Sequence, residues 1–330
     1  MRELGLLVYN EIEKIYRKKR FAVVLLILMI LVPLFIYGQH REQEENLKKV
    51  GTKDWKIVLQ QQISDTQNRL NSSNSPEEFK KIRRLQMEQN EYYLEKDINP
   101  SVIGAPTFLR SFLTLGISMF IPLLVLVVVI DMVSGERSDG TIKMLLTRPV
   151  RRWKVLLSKY ITMILSVTSI MIMVVVIAYS LSGIVFGFGG IDAPVLTGFS
   201  IENNQLVTAG IHSIPQWEFL LMCVGLSWFV AVIVGTLAFM VSVLVRNTPA
   251  GMGAMFASLI AGGILQGLAS NWEGAKYVYS VNMDLINYLS GASPSLEGLN
   301  MNFSIMTLSA WGIVALLISF VVFTREDMMG

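Results

Sequence analysis

Residues 134–160 read SGERSDGTIKMLLTRPVRRWKVLLSKY. Seven of these residues are Lys or Arg, and Gly135, Gly140 and Pro149 break the run. The stretch lies between two segments with no charged residue, 111–130 and 160–191. At about 1.5 Å of rise per residue, each can cross a hydrocarbon core of about 30 Å as a helix. A dense charged loop between two such runs is the pattern of a chain that crosses a membrane more than once. The whole sequence agrees: of 330 residues, 52% are hydrophobic and 16% charged, against about a quarter charged in a soluble domain. The charges collect in blocks, so the shortage is local.

Working outward, further uncharged runs cover 21–39, 219–245, 247–272 and 298–324. The fold class expected is an all-α integral membrane protein with six transmembrane helices. The chain divides into an N-terminal amphipathic helix (1–20), a first span (21–39), a helical hairpin (40–106), a second span (107–133) and the charged loop (134–152). A third span (153–186), a loop (187–216), a fourth span (217–245) and a fifth (247–270) follow. A polar re-entrant or surface segment (271–303) and a sixth span (304–324) complete it. Pro33 predicts a kink in the first span, and Pro122 sits in the middle of the second.

In residues 1–20, Leu4, Val8, Ile12 and Ile15 fall on one helical face with Tyr16 beside them. Lys14, Arg17, Lys18, Lys19 and Arg20 crowd the end. Such a helix lies on a membrane surface with its basic end near lipid phosphates. Between 40 and 106, Trp55, Val58, Leu59, Ile63 and Leu70 have helical spacing. Asn71 to Pro76 is a break, with Ser75-Pro76-Glu77-Glu78 as a capping box. Phe79, Ile82, Leu85, Tyr92 and Tyr93 continue a second helix. The hairpin is either a ligand- or partner-binding element or a solvated spacer.

Lys and Arg in short loops set orientation. Residues 1–20 hold six, 134–160 hold seven, and Arg246 and Arg325 add to the same side, while loops 192–218 and 273–297 hold Lys276 between them. Both termini are therefore expected in the cytoplasm, with the hairpin outside.

Read on its own residues, the 134–160 loop has a helix from Asp139, as cap, through Leu146, with Ile142, Leu145 and Leu146 as its apolar face. Arg148-Pro149 ends it. That is a short rod tied at both ends to transmembrane helices. Composition leaves it open whether this is a moving lever or an ordinary positive-inside loop.

Gly135-Glu136, Gly140-Thr141, Leu145-Leu146, Pro149, Arg151 and Lys159 resemble the intracellular signature of ABC-2 type transporter permeases. The N-terminal helix, the six spans and the insertion after the first span resemble that family too, so the likeness covers the whole chain. It implies a bacterial plasma-membrane permease subunit moving a small amphipathic molecule, peptide or ion outward. It further implies a coupling helix at 134–149 seated on a separate ABC ATPase subunit. Glu136, Asp139, Gly140, Thr141, Leu145, Pro149 and Arg151 would be the ATPase-coupling residues, with Glu136 as the acidic contact, and a second permease subunit would complete the assembly. ATP and magnesium would be held by the ATPase partner. This chain has no G-x-x-x-x-G-K-[ST] phosphate cradle, no cofactor of its own and no sign of nucleic-acid binding. The alternative, from another class, is a membrane sensor in which the hairpin detects a ligand; a self-powered channel is a third.

The fifth span is rich in small residues. Ala254, Ala257, Gly263 and Gly267 form a face that suits close helix packing, either within the chain or as a dimer seam. Gln266 is polar at depth. Asp131 and Arg246 sit near span ends, where charge costs little. His40 and His212 have no ligand cluster around them, and Cys223 stands alone in an apolar run. No enzyme constellation is present.

Overall fold

The computed structural model describes residues 2–325 apart from 53, 72–76, 101, 142–149, 203–204, 208–209, 269–271 and 292–297. Helix α1 (Arg2–Arg17) ends at a two-residue turn, Lys18-Lys19. Lys19 takes the left-handed conformation, φ 53°, and Lys18 N–H donates to the Lys14 carbonyl at 3.0 Å. Helix α2 (Arg20–Val50) then runs without interruption through Pro33 and past the apolar run. The first span is thus part of a helix longer than 21–39, and Pro33 does not break it. Helices α3 (Trp55–Asn71) and α4 (Glu77–Glu95) pack on each other, and α4 reaches the far-end loops. Gln89 Nε2 donates to the Gly291 carbonyl at 2.6 Å, and Tyr93 stacks obliquely on Phe199. The capping box at Ser75–Glu78 lies where side chains are not described.

The second span is two helical pieces. Helix α5 (Ala105–Gly116) and the following helix, α6 (Phe120–Val129) continued by α7 (Asp131–Ser138), meet at 68°. The break falls at 117–119, just ahead of Pro122. Proline has no N–H to give the carbonyl four residues earlier, and its ring crowds that carbonyl, so the ladder is interrupted there. The bent pair still runs the length of helix α8 (Arg152–Phe186). Ala105 N–H donates to the Gly187 carbonyl at one end, and the Met132 carbonyl accepts from Lys159 at the other.

Residues 187–216, expected as a loop, carry two small hairpins on the otherwise helical frame. Strands β1 (Pro194–Thr197) and β4 (His212–Pro215) pair antiparallel, with β2 (Ser200–Glu202) and β3 (Gln205–Val207) paired beyond them. Gly198, φ +83°, faces the Gly210 carbonyl so closely that a Cβ would collide with it. A side chain is excluded there both by the backbone conformation and by the space.

Helix α9 (Gln216–Leu244) is the centre of the bundle. It packs against α5, α6, α7 and α8 and most extensively against the last helix, α12 (Met301–Arg325). Apolar residues on all its sides fit that place: Cys223, Val230, Ala231, Val234 and Ala238 are fully buried. Gly235 lets α8 approach, since a Cβ there would stand 2.9 Å from Met163 Sδ. Between α9 and α12 come α10 (Thr248–Leu268), two 3-10 turns (273–282) and a short helix, α11 (Leu285–Leu289). Among the described residues, five helices are long and apolar enough to cross a membrane, and the bent pair makes a sixth if counted as one span.

Helix α10 is peripheral. Its inward face carries Gly251 against Ile130, Met255, and Gly262 directly beneath Ser280. Ala254, Ala257 and Gly263 lie on the other side and are exposed, with open space at Gly263. Packing within the chain does not use those three. Gly267 continues the same helix, beyond the last side chain described in it, Leu265.

Lys19 gives a first test. A left-handed non-glycine residue costs about 1–2 kcal/mol, so Lys19→Gly is expected to be neutral or to raise the thermal midpoint slightly, whereas Lys19→Val lowers it. Thermal unfolding of the two variants side by side checks this.

Candidate functional site

The face of α1 turned to the bundle keeps three of the four residues that apolar spacing selects and replaces the fourth with an acid. Leu4 and Val8 are half-buried on it, and Glu11 and Ile15 are buried. Ile12, expected on this seam, is exposed, and with Leu6, Tyr9 and Tyr16 it forms an outward apolar stripe. The reason is Glu11, a carboxylate that must find cations once it is taken out of water.

It finds two. Lys14 Nζ lies 2.7 Å from Glu11 Oε1 and 2.7 Å from Glu136 Oε1. Lys159 Nζ lies 2.7 Å from Glu11 Oε2 and 2.9 Å from Glu136 Oε2. Two acids and two lysines alternate in a closed ring that is neutral overall. The members come from α1, α7 and α8. Lys159 also donates to the Met132 carbonyl at 3.1 Å and is 1% exposed. Its ammonium thus hydrogen-bonds Glu11 and the Met132 carbonyl and forms an ion pair with Glu136. Burial works to depress the Lys14 ammonium, but Glu11 and Glu136 outweigh it and hold the group above the ordinary lysine range. A lysine raised in this way supports the docked state at every pH below about 10.4, so the ring keeps this cation through neutral and mildly alkaline conditions.

A second cluster stands beside the ring. Asp131 Oδ2 lies 2.8 Å from Lys18 Nζ and 3.0 Å from Arg20, and its Oδ1 accepts from Thr248 Oγ1 at 3.0 Å. The α1–α2 turn is thereby clamped to the start of α7 and to α10. Gly135 makes room for this carboxylate. A Cβ at 135 would overlap Asp131 Oδ1 and stand 2.7 Å from its Cγ. Ser242 of α9 completes the clamp: its Oγ accepts from the N–H groups of Val133 and Ser134 at 3.0 Å each and donates to the Ile130 carbonyl at 2.7 Å. It bridges the joint between α6 and α7.

Glu136 therefore stands apart from the surface contact expected of it. It is 7% exposed, and its carboxylate is spent inside the molecule. The helix expected from Asp139 through Leu146 lies largely outside the described residues; Asp139 itself is placed. It ends α7 as its C-cap, its N–H donating to the Gly135 carbonyl at 2.9 Å. Gly140 follows at φ +70°, the left-handed glycine that commonly closes a helix. Asp139, Gly140 and Thr141 are exposed. Arg151 is exposed in extended backbone at the start of α8. Leu145, Pro149 and the rest of 142–149 lie outside the described residues.

Three participants were not singled out from sequence: Glu11, Lys14 as a bridging cation, and Asp131 as a clamp. The signal for Glu11 was present, as an acid between Val8 and Ile15 on an otherwise apolar seam. Among the described residues no group of three or more His, Cys, Asp or Glu converges as a metal-binding set.

A family model described as "Protein of unknown function (DUF2705)" matches residues 85–329, most of the chain. The chain belongs to this family. Of the ring members in this DUF2705 chain, Glu136 and Lys159 fall inside the matched region and Glu11 and Lys14 precede it. Two Bacillus subtilis (strain 168) proteins are similar to it. "Uncharacterized protein YhcI" is 29% identical over 330 residues, covering 97% of this chain and 98% of its own. "Uncharacterized membrane protein YdbK" is 27% identical over 219 residues, 65% of this chain and 80% of its own. With its apolar helices and a relative described as a membrane protein, this DUF2705 chain is a multi-pass membrane protein.

Proposed function

We propose that the chain is the permease subunit of an ATP-driven exporter of the ABC-2 type in a bacterial plasma membrane. It moves a small amphipathic molecule, peptide or ion outward, using ATP hydrolysed by a separate ABC ATPase subunit that holds the nucleotide and magnesium. The ring end faces the cytoplasm in this reading, as the Lys and Arg distribution favours, and the α3–α4 hairpin faces outward. A second permease subunit pairs with the first, and the exposed face at Ala254, Ala257 and Gly263 suits close approach of another helix.

The observation that carries this reading is the ring of Glu11, Lys14, Glu136 and Lys159. It ties the N-terminal helix, the end of the second span and the start of the third into one unit. The charged loop emerges from that unit, with Asp139, Gly140, Thr141 and Arg151 exposed around it. A force on the loop is then delivered to three helices together. Glu136 supports the loop from behind, and the direct ATPase contacts fall to the exposed residues.

The test is ATP turnover by the complex reconstituted with its candidate ATPase chain, with and without transport substrate. Gly140→Val forces a branched side chain into a left-handed turn. It is expected to leave the two chains associated and to reduce substrate-stimulated turnover on the order of tenfold, within the usual span of coupling energies. Turnover indifferent both to this chain and to the variant overturns the reading. A sensor built on the same frame is separated from an exporter by vesicle efflux, which a sensor does not show.

A further inference from the structure

A cleft of about 550 Å³ lies at the end of the molecule away from the ring. Its walls are the C-terminal part of α2, one side of α3, the segment leading into α5, and Phe186 at the end of α8. Much of the wall is apolar: Leu47, Trp55, Val58, Leu59, Ile103 and Phe186. Deeper in, the lining includes Arg110, on α5.

Arg110 has little to hold. Its Nη2 donates to the Pro100 carbonyl at 3.1 Å, and its guanidinium lies 5.9 Å from the Phe219 ring centroid. Among the described residues no Asp or Glu lies within ion-pair distance of it; the ionisable groups that sense its charge are Tyr93 and Cys223. A guanidinium offers five N–H donors in a planar fork suited to carboxylate or phosphate, and one of them is placed here. Lys159, fully buried, has its acids supplied by the fold. Arg110 does not, and a shielded cation without a counter-ion is costly. The acids that line this cleft are Glu42 and Glu44, both exposed; Glu44 is 3.8 Å from His40 Nδ1. A small free anion gains only Arg110 there and meets those two carboxylates. An anion carrying an apolar tail also buries that tail against the wall.

We propose that this cleft binds an anionic amphiphile, its phosphate or carboxylate headgroup on Arg110 and its apolar chain along Trp55, Val58, Leu59 and Phe186. The site stands independently of the exporter reading, since it needs neither an ATPase nor a second subunit.

Trp55 supplies the reporter. The full chain in nanodiscs of phosphatidylcholine is titrated with spin-labelled dodecyl phosphate, with spin-labelled dodecyl maltoside as the neutral match, and with inorganic phosphate alone as competitor. A parallel set of nanodiscs contains spin-labelled phosphatidylglycerol. The expected result is saturable quenching of Trp55 by an acidic amphiphile, absent in Trp55→Phe. Inorganic phosphate fails to displace it at matched concentration. Binding weakens about tenfold or more in Arg110→Gln, the scale of a lost hydrogen bond to a charged group. Val58→Trp, which fills the cleft and leaves Arg110 in place, weakens it as well. Saturable quenching by dodecyl phosphate assigns the site to free amphiphiles, and saturable quenching by phosphatidylglycerol assigns it to lipid headgroups. Either supports the proposal. Equal quenching by the maltoside, or no saturable quenching by either acidic probe, overturns it, and the headgroup comparison does so on the unaltered chain even where Arg110→Gln fails to fold.

Discussion

Lys159→Met is expected to cost about 3–5 kcal/mol, the range for removing one partner of a buried ion pair. The change leaves Glu11 Oε2, Glu136 Oε2 and the Met132 carbonyl without the ammonium they share. It also turns a neutral ring into one with an excess negative charge, and Lys14 alone then faces both carboxylates. Methionine fills most of the lysine volume, so the effect reports lost charge more than a cavity. Two readouts follow. The thermal midpoint of the purified chain falls, and trypsin cuts sooner after Arg17 or Lys18 because α1 lifts away. Glu136→Gln combined with Lys159→Met leaves Glu11 and Lys14 as a matched pair and restores neutrality. That double variant is expected to recover about half of the loss, since residues in one ion-pair network are not additive. If Lys159→Met shifts stability by less than about 0.5 kcal/mol, the usual range for a surface change, the ring does not hold α1.

Gly135→Ala is the second large effect and comes from a single methyl group. Its Cβ would occupy the place of the Asp131 carboxylate. Asp131 must rotate away, giving up Lys18, Arg20 and Thr248 at once. The expected loss is about 1–3 kcal/mol, as for other overpacked sites. This sign is opposite to helix propensity, which favours alanine over glycine by about 1 kcal/mol. In an Asp131→Ala background the clash is gone, and Gly135→Ala should be neutral or stabilising. Thermal unfolding of the four-variant cycle decides the matter. An equal cost in both backgrounds means that Asp131 is not why glycine stands at 135.

The spans were legible because the solvent dictates them: a helix in hydrocarbon must be uncharged for about 20 residues. The fourth and sixth spans accordingly begin and end within a few residues of the uncharged runs, while the third starts eight residues ahead of its run. Extra-membrane structure was less legible. The 194–215 strands escaped a reading guided by charge, although Gly198 and Gly210 stand at the turn end of a hairpin. The bend at 117–119 had both its flanking signals, Gly116 and Pro122, yet a proline in a span reads equally as a mild kink. The ring was hardest. Glu11, Glu136 and Lys159 are far apart in sequence, and only the packing of three helices brings them together. What sequence offered were two oddities, an acid on an apolar seam and a lysine seven residues into an apolar helix.

The uninterrupted run of α2 through Pro33 has a mechanical consequence. Thirty-one residues make a rod about 46 Å long. At one end Arg20 is pinned to Asp131 beside the ring; at the other, Gln39 to Leu47 wall the amphiphile cleft. A tilt of about 5° about the pinned end carries the far end about 4 Å at that length, enough to widen or shut the cleft. The single left-handed residue at Lys19 is where such a tilt can be taken up. One helix is shared by the two ends of the molecule, so an occupant of the cleft that favours one tilt of it would favour one angle of α1 and the charged loop, and by reciprocity the loop would act on the cleft.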